Sequence, residues 1–274
     1  GALAGMEPAE LGGVVFKEAI ARSGVDPKQI SFATVGNCIP TESRYAYVAR
    51  VSTIQAGMSM DSVAFAVNRV CGSSQQAGVN SAQAILLGDA DFALGGGVEV
   101  MSRGAYLMPA LRSGARMGDT QAIDAMVAVL TDPFGVGHMG ITAENLAVKH
   151  GISREQQDAF AVESQNRAAK AIAEGRFKSQ IAPITLKTRK GDVVFDTDEH
   201  PRAGTTMETL AKMKPAFKKD GTVTAGNASG INDAAAALIL ADAAKAASGG
   251  HKPIARLVAY AIAGSMNVDV AKGA

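Results

Sequence analysis

Cysteine and tryptophan are scarce in this sequence. Its 274 residues include two cysteines and no tryptophan, and aromatic residues make up 5% of the chain. So few cysteines exclude the dense disulfide framework of small secreted domains and favour a reducing compartment. We therefore expect a cytoplasmic protein, in which Cys38 is a small packing residue.

Net charge and long apolar runs are also missing. The sequence has 27 basic and 26 acidic residues, so its charge indicates neither a nucleic-acid partner nor a polybasic membrane anchor. No apolar run approaches the roughly 20 residues of a membrane-spanning helix. Residues 1–5 also lack the basic start of a secretory signal. We expect no nucleic acid and no membrane among the partners.

The spacing of possible metal ligands excludes a recognisable metal site. The two cysteines and four histidines are spread far apart, without a zinc-ligand pattern. The acidic residues 196–200 lack the full pattern of a calcium loop and favour a solvated turn. We predict no metal and no permanently bound cofactor.

Glycine and apolar residues, in contrast, are abundant. The chain has 30 glycines and 47% hydrophobic residues, enough to bury a large core. Apolar spacing predicts a helix over residues 8–23, a buried strand over 63–70 and a helix over 73–87. A strand over residues 91–94 is expected to stop at the glycines 95–97. This alternation predicts an α/β fold with a parallel sheet and helices on its faces.

The middle of the chain interrupts this pattern. Residues 103–137 show no clean period and residues 181–222 are polar, whereas helical spacing returns over residues 154–174. The alanine-rich residues 233–247 predict a helix, and the apolar residues 254–262 predict a strand. The sequence thus predicts an insertion within an α/β domain.

These patterns divide the sequence into three predicted domains. Residues 1–102 plus 230–254 form the α/β domain, residues 103–229 form a loop domain, and residues 255–274 begin a further domain.

Cys71 is the residue most suited to nucleophilic chemistry. It lies between a predicted strand and a predicted helix, and Gly72 and Ser73 follow it. A helix N-terminus favours the thiolate form, which is the reactive species. The ordinary alternative is a buried, inert cysteine, but a core cysteine does not need a sharp turn of small residues. We predict that Cys71 is a nucleophile.

The residues around Cys71 resemble a known motif. Residues 68–77, Asn-Arg-Val-Cys-Gly-Ser-Ser-Gln-Gln-Ala, are similar to the acyl-enzyme motif of the thiolases, the acetyl-CoA acetyltransferase family. Residues 95–102 resemble the family's glycine-rich turn, residues 138–145 its substrate-site segment, and residues 221–232 its coenzyme A segment. The four segments occur in family order at compatible spacing.

The resemblance implies a fold and a reaction. The expected fold is the thiolase-like layered αβαβα fold with an inserted loop domain, most of whose second half lies outside this chain. The expected reaction loads an acyl group from an acyl-CoA onto Cys71, and an acetyl-CoA carbanion then attacks it to give a 3-ketoacyl-CoA. The reverse reaction is thiolysis. Coenzyme A thioesters are therefore expected as substrates. Residues 112–119 resemble the family's tetramerisation loop, and a homo-oligomer, either a dimer or a tetramer, is expected.

The same resemblance implies six ligand-binding residues. His138 lines the acyl and pantetheine end, Met139 packs against the acyl chain, and Ser229 hydrogen-bonds the pantetheine arm. The others are Leu130 and Phe217, apolar residues around the ligand, and Arg202, which contacts the nucleotide end. Taken alone, these residues would be read as a turn histidine, a helix cap, a solvated arginine and ordinary packing.

The sequence departs from the family pattern in two ways. Gln75 replaces an apolar residue, and Gly78 replaces Ile or Leu, where glycine in a helix costs about 1 kcal/mol relative to alanine. Two catalytic groups of the family's second half, a proton-accepting histidine and a second cysteine, are absent. The chain resembles a thiolase shortened at both ends.

Three alternatives to a working thiolase remain open at this point. A related condensing enzyme of the 3-ketoacyl synthase type would also load Cys71. A catalytically incomplete protein would bind coenzyme A or lipid without turnover. A dinucleotide-binding oxidoreductase is the weakest alternative, because residues 95–97 lack the G-x-G-x-x-G spacing.

Overall fold

The computed structural model describes residues 1–263, so the predicted tail beyond residue 264 lies outside the described residues. Contacts group the chain into two units. The first unit comprises Gly1–Met126 and Asn232–Ala261, and the second is built from Val127–Ile231. The domain boundaries drawn from the sequence remain predictions.

The described residues contain short and long elements of both kinds. The strands are β1 (Ile30–Gly36), β2 (Val63–Val67), β3 (Phe92–Val100), β4 (Tyr106–Leu107), β5 (Ile123–Asp124), β6 (Thr131–Asp132), β7 (Gly137–His138), β8 (Ile184–Thr188), β9 (Gly191–Phe195) and β10 (Asp233–Ala241). The α-helices are α1 (Pro8–Ser23), α2 (Val48–Gln55), α3 (Ser73–Leu87), α4 (Ala125–Val129), α5 (Met139–His150), α6 (Arg154–Ala173), α7 (Met207–Ala211) and α8 (Ala243–Ser248).

A four-stranded sheet forms the centre of the first unit. Its strand order is β10-β3-β1-β2. β1 runs parallel to both β2 and β3, whereas β10 runs antiparallel to β3. The predicted α/β fold with parallel strands is confirmed. The C-terminal ends of the three parallel strands, β1, β2 and β3, lie at one edge of the sheet, called the C-terminal edge below.

Strand β3 is longer than the sequence predicted. We expected it to stop at residues 95–97, but it continues to Val100 and is buried over almost its whole length. A Cβ on Gly95 would lie 2.8 Å from the Cα of Gly78, and a Cβ on Gly97 would overlap the Oγ of Ser74. These glycines therefore bring helix α3 close to the strand instead of ending it.

The predicted helices α1 and α3 are confirmed. Pro8 occupies the start of α1, and Leu11, Phe16 and Ile20 form its buried face. Gly24 ends the helix in the left-handed region at a φ of 69°, where glycine carries no steric penalty. Apolar spacing located these two helices correctly because each buries one face.

Two predictions at the end of the chain are wrong. Residues 233–241 form strand β10, paired along its length with β3, and only Ala243–Ser248 is helical after the cap at Asp242. Sheet pairing outweighs the helix propensity of alanine here. Residues 254–262 form no strand, and their side chains are exposed.

Strand β2 is shorter and less buried than predicted. It ends at Val67 and forms an edge of the sheet. Val63 and Phe65 keep 59% and 39% of their surface exposed, so the expected buried strand over residues 63–70 is wrong in both length and burial.

The second unit contains helices and small hairpins. Helix α6 begins at the predicted position, where Ser153 and Gln156 form a reciprocal capping box. The polar stretch after it folds into the hairpin of β8 and β9. None of the described helices is long and apolar enough to cross a membrane.

The contact between α3 and β3 gives a stability prediction. Gly95→Ala should lower the free energy of unfolding by about 1–3 kcal/mol, because its Cβ would press on backbone. Gly78→Ala is the matched control, since its Cβ meets nothing within 4 Å, and it should stabilise by up to about 1 kcal/mol. Urea unfolding measures both; equal effects would contradict the packing described.

Candidate active site

Cys71 lies at the C-terminal edge of the sheet. It follows strand β2 and immediately precedes Gly72, the N-cap residue of helix α3. Its side chain is exposed, and it stands at the end of the helix where the dipole favours negative charge. The structure thus places the predicted nucleophile where a ligand can reach it.

The turn before Cys71 has an unusual backbone. Val70 has a φ of 47°, in the left-handed region, which a β-branched residue rarely adopts. Such a conformation costs on the order of 1–3 kcal/mol and needs support from its surroundings. It turns the chain sharply from β2 into α3.

Ser73 supplies part of that support. Its Oγ accepts a hydrogen bond from the Arg69 N–H at 2.8 Å and donates one to the Val70 carbonyl at 2.6 Å. The Asn68 side chain adds a third bond, accepting from the Val70 N–H at 2.9 Å. The two Ser73 bonds join the backbone before Cys71 to the first residue of α3, and together with the Asn68 bond they hold the turn together.

Cys38 borders the same turn, and Glu99 binds the backbone at Cys38. The Cys38 Sγ lies 3.1 Å from the Ser73 Oγ and 3.1 Å from the Val70 carbonyl oxygen. Burial raises the pKa of the Cys38 thiol, the bond to Ser73 lowers it in part, and the Glu99 carboxylate raises it further. Glu99 accepts from the backbone N–H groups of Cys38 and Ile39 at 2.8 and 3.1 Å. Burial raises the pKa of Glu99, and these two bonds oppose the shift.

His138 and Phe217 come together in the second unit. Their rings stack at a centroid distance of 4.9 Å and an angle of 18°. His138 is also the N-cap of α5, and its Nδ1 accepts the Gly140 N–H at 3.1 Å. A Cβ on Gly140 would overlap the Phe217 ring, so this glycine makes room for the stack.

Leu130 and Met139 are linked to this stack through the backbone, because Met139 follows His138 and bonds Leu130. The Met139 N–H donates to the Leu130 carbonyl at 2.8 Å, next to the pairing of Thr131 with His138 between β6 and β7. Four of the six predicted ligand residues are therefore neighbours: Leu130, His138, Met139 and Phe217.

Ser229 and Arg202 also belong to the second unit. Both residues are exposed. A Cβ on Gly230 would overlap the ring of His200, so the backbone beside Ser229 packs against the segment that carries Arg202. The Arg202 N–H donates to Gln165 Oε1 at 2.7 Å. The ordinary reading of residues 227–230 as a helix cap is wrong, because strand β10 follows them.

Glu144 fixes the start of the predicted coenzyme A segment. Its carboxylate accepts bonds from the Val223 N–H and from the N–H and hydroxyl of Thr222, at 2.8–3.1 Å. Burial raises the pKa of Glu144, but the bonds from Val223 and Thr222 outweigh it and leave the pKa lowered. Gly221 approaches so closely that a Cβ there would overlap this carboxylate.

A buried ion pair fixes the same segment further on. Asp158 is 2% exposed and pairs with Arg154 at 2.7 Å. The Asn227 side chain donates to Asp158 at 2.9 Å and accepts the Thr224 N–H at 2.7 Å. Arg154 also donates to the Leu210 carbonyl at 2.6 Å, so helix α6 anchors residues 224–227.

Several of these residues were missed by sequence reasoning. Glu144 and Glu99 lay inside the segments that carried the resemblance, but nothing local assigned them a partner. The spacing of Arg154 and Asp158 is that of a helical ion pair, which is a usable signal. In residues 1–263 no group of three or more His, Cys, Asp or Glu side chains could hold a metal ion.

Comparison with known proteins identifies the class of the chain. Residues 1–244 match the family described as "Thiolase, N-terminal domain". The chain is 52% identical over 265 residues to a beta-ketothiolase of Cupriavidus necator and 48% identical over 266 residues to an acetyl-CoA acetyltransferase of Pseudomonas aeruginosa. The chain belongs to the thiolase family.

Solved structures agree with this assignment. Human mitochondrial 3-ketoacyl-CoA thiolase superposes with a TM-score of 0.89 at 39% identity, and the structure of that enzyme in complex with CoA gives 0.87 at 38%. The predicted thiolase fold is confirmed. The two sequence matches cover 96% of this chain but 67% of each relative. The two structural matches cover 92% of this chain but 63–64% of the solved chains. This chain therefore spans about two thirds of the length of these relatives.

The contacts of Glu144 give a second stability prediction. Glu144→Gln should destabilise the protein by about 1–3 kcal/mol at neutral pH, because an amide group would face N–H donors. The lowered pKa means that the carboxylate stabilises the fold above its unfolded pKa. That contribution is lost as the pH falls through the folded pKa. The free energies of unfolding of the wild-type and Glu144→Gln proteins should therefore converge in acid.

Urea unfolding at a series of pH values measures this difference. Glu163→Gln is the control, since Glu163 forms an exposed pair with Arg167 on α6 and such pairs contribute little. A Glu144→Gln effect that is constant with pH would contradict the assigned role of the carboxylate.

Proposed function

We propose that this chain is the acyl-accepting part of a thiolase-type acyltransferase and that Cys71 is its nucleophile. The observation that carries the proposal is the exposed Cys71 thiol on the strained turn before α3, in a chain of the thiolase family. The proposed substrates are acyl-CoA thioesters, condensed to or cleaved from 3-ketoacyl-CoA.

The proposed loading step is a thioester exchange. The Cys71 thiolate attacks the acyl carbonyl carbon of an acyl-CoA, and the carbon–sulfur bond to coenzyme A breaks. Coenzyme A leaves as a thiolate that takes a proton, and the acyl group remains on Cys71. Because one thioester replaces another, the step is close to balanced and reversible.

Coenzyme A recognition is assigned to the second unit. The Nδ1 of His138 accepts from Gly140, so the opposite Nε2 carries the ring hydrogen and can donate to a ligand oxygen. Ser229 and Arg202 are exposed donors for the pantetheine arm and the nucleotide end. Buried Glu144 and Asp158 hold the backbone that presents Ser229.

The condensation half of the reaction needs further groups. The one described histidine of the first unit, His251, packs edge-on against Phe92 with a ring-centroid distance of 5.6 Å. Phe92 begins β3, so His251 lies at the sheet edge opposite Cys71. We assign the proton acceptor for turnover to the family's second half. A cytoplasmic location and a homo-oligomer remain part of the proposal.

Acyl loading is tested by mass measurement. The purified chain is incubated with excess acetyl-CoA and digested with trypsin, which releases residues 70–103 as the peptide that contains Cys71. We expect this peptide to gain one acetyl group, and free coenzyme A to appear in equal amount. The linkage should be cleaved by neutral hydroxylamine, as a thioester is.

Two variants make the loading test specific. Cys71→Ala should lose the adduct, whereas Cys38→Ala should keep it on the peptide of residues 70–103. An unmodified Cys71 in folded protein that binds coenzyme A would leave the alternative of a binding protein without acyl transfer. Acetyl groups found only on lysines would also overturn the proposal.

Coenzyme A affinity gives a separate prediction for Ser229. Ser229→Ala should raise the Kd for coenzyme A about fivefold, the equivalent of one lost hydrogen bond of roughly 1 kcal/mol. Ser248→Ala, at an exposed serine of the first unit whose hydroxyl donates to the Lys245 carbonyl at 3.1 Å, should leave the Kd unchanged. Titration calorimetry measures both. Equal Kd values for the two variants would remove Ser229 from the site.

A further inference from the structure

The two cysteines of this chain lie beside the same turn. Cys38 follows β1 and Cys71 follows β2, and these parallel strands are direct neighbours, with Gly36 paired to Val67. Both thiols are therefore at the C-terminal edge of the sheet. Neither is in a disulfide in the structure.

Cys38 contacts residues on both sides of Cys71 in the sequence. The Cys38 Sγ lies 3.1 Å from the carbonyl oxygen of Val70, the residue before Cys71, and 3.1 Å from the Oγ of Ser73, two residues after it. The Asn68 side chain donates to the Cys38 carbonyl at 3.4 Å. The charge of the Cys71 sulfur is near enough to raise the pKa of Cys38 as a minor contribution.

The two thiols differ in accessibility. Cys71 is exposed, whereas Cys38 is half-buried and burial raises its pKa. An exposed thiol at a helix N-terminus is the one an oxidant reaches first, and a nearby second thiol can then displace the oxidised product. The usual explanation for Cys38, simple packing, does not account for its placement against both sides of the nucleophile turn.

We propose that Cys38 is a resolving thiol for Cys71, so that a peroxide converts the pair into a reversible disulfide that blocks acyl loading. This inference deepens the proposed function, because the residue it protects is the acyl acceptor. The disulfide would also keep Cys71 from the irreversible sulfinic state.

The proposed oxidation is balanced in two steps. The Cys71 thiolate attacks a peroxide oxygen, an S–O bond forms, the O–O bond breaks, and the departing hydroxide takes a proton to become water. The Cys38 sulfur then attacks the sulfenic sulfur, an S–S bond forms, the S–O bond breaks, and the leaving hydroxide takes the Cys38 proton as a second water. A dithiol returns both cysteines to thiols and is itself oxidised to a disulfide.

The test uses hydrogen peroxide on the whole chain. After oxidation, remaining thiols are blocked with N-ethylmaleimide, and the chain is digested with trypsin without reduction. We expect the peptides of residues 29–44 and 70–103 to be joined, in a product that is independent of protein concentration. Acetyl loading of Cys71 should be lost in proportion to the joined fraction and should recover after dithiothreitol.

The control variants are Cys38→Ala and Cys38→Ser. In either one, peroxide should drive Cys71 to the sulfinic state, and loading should not recover with dithiothreitol. The proposal is overturned if the wild-type chain gives no joined peptides and reaches the sulfinic state as fast as the variants. It is also overturned if the only disulfide joins two chains.

Failure of this inference can be told apart from failure of the proposed function. The joined peptides are detected without coenzyme A. Joined peptides without acetyl loading would remove only the acyl-transfer role of Cys71, and acetyl loading without joined peptides would remove only the role of Cys38.

Discussion

The hydroxyl of Ser73 is the interaction on which the placement of Cys71 depends. It bonds the backbone on both sides of Val70, at 2.6 and 2.8 Å, and so stabilises a β-branched residue at a φ of 47°. Without that support the chain could avoid the strain, on the order of 1–3 kcal/mol, by opening the turn. The thiol would then lose its fixed position at the start of α3. The Ser73 bonds thus hold a strained residue directly before an exposed thiol.

Close packing between backbone atoms holds this turn in position. A Cβ on Gly36 would lie 2.7 Å from the Ser73 carbonyl carbon, and one on Gly95 would lie 2.8 Å from the Gly78 Cα. Helix α3 can therefore lie directly on β1 and β3 only because these strand positions are glycines. In the glycine-rich stretch of β3, Gly95 and Gly97 face helix α3, whereas Gly96 lies against Ala236 and Ala237 of β10. In the second unit, buried carboxylates such as Glu144 do the corresponding work of fixing a backbone segment.

The sequence predicted correctly those features that depend on residues close together in the chain. Helix α3 and the position of Cys71 followed from apolar spacing and small residues. The ligand roles of His138 and Ser229 were expected only from the resemblance to the family, and they stay predictions. Strand β10 was missed because its pairing with β3 joins residues more than a hundred positions apart, which an alanine-rich segment does not reveal. The bond between Glu144 and Val223 likewise spans 79 positions. Burial and partner identity over such distances are properties of the fold.

The return of the acyl group to coenzyme A tests the central claim most directly. The chain is loaded with acetyl-CoA, freed of excess substrate, and then mixed with coenzyme A while the mass of the peptide of residues 70–103 is followed. The account predicts that the acetyl group leaves Cys71 and that acetyl-CoA forms in equal amount, because the thioester exchange is reversible. An acetyl group that stays on the chain in the presence of coenzyme A, or that is lost only by hydrolysis, would contradict it.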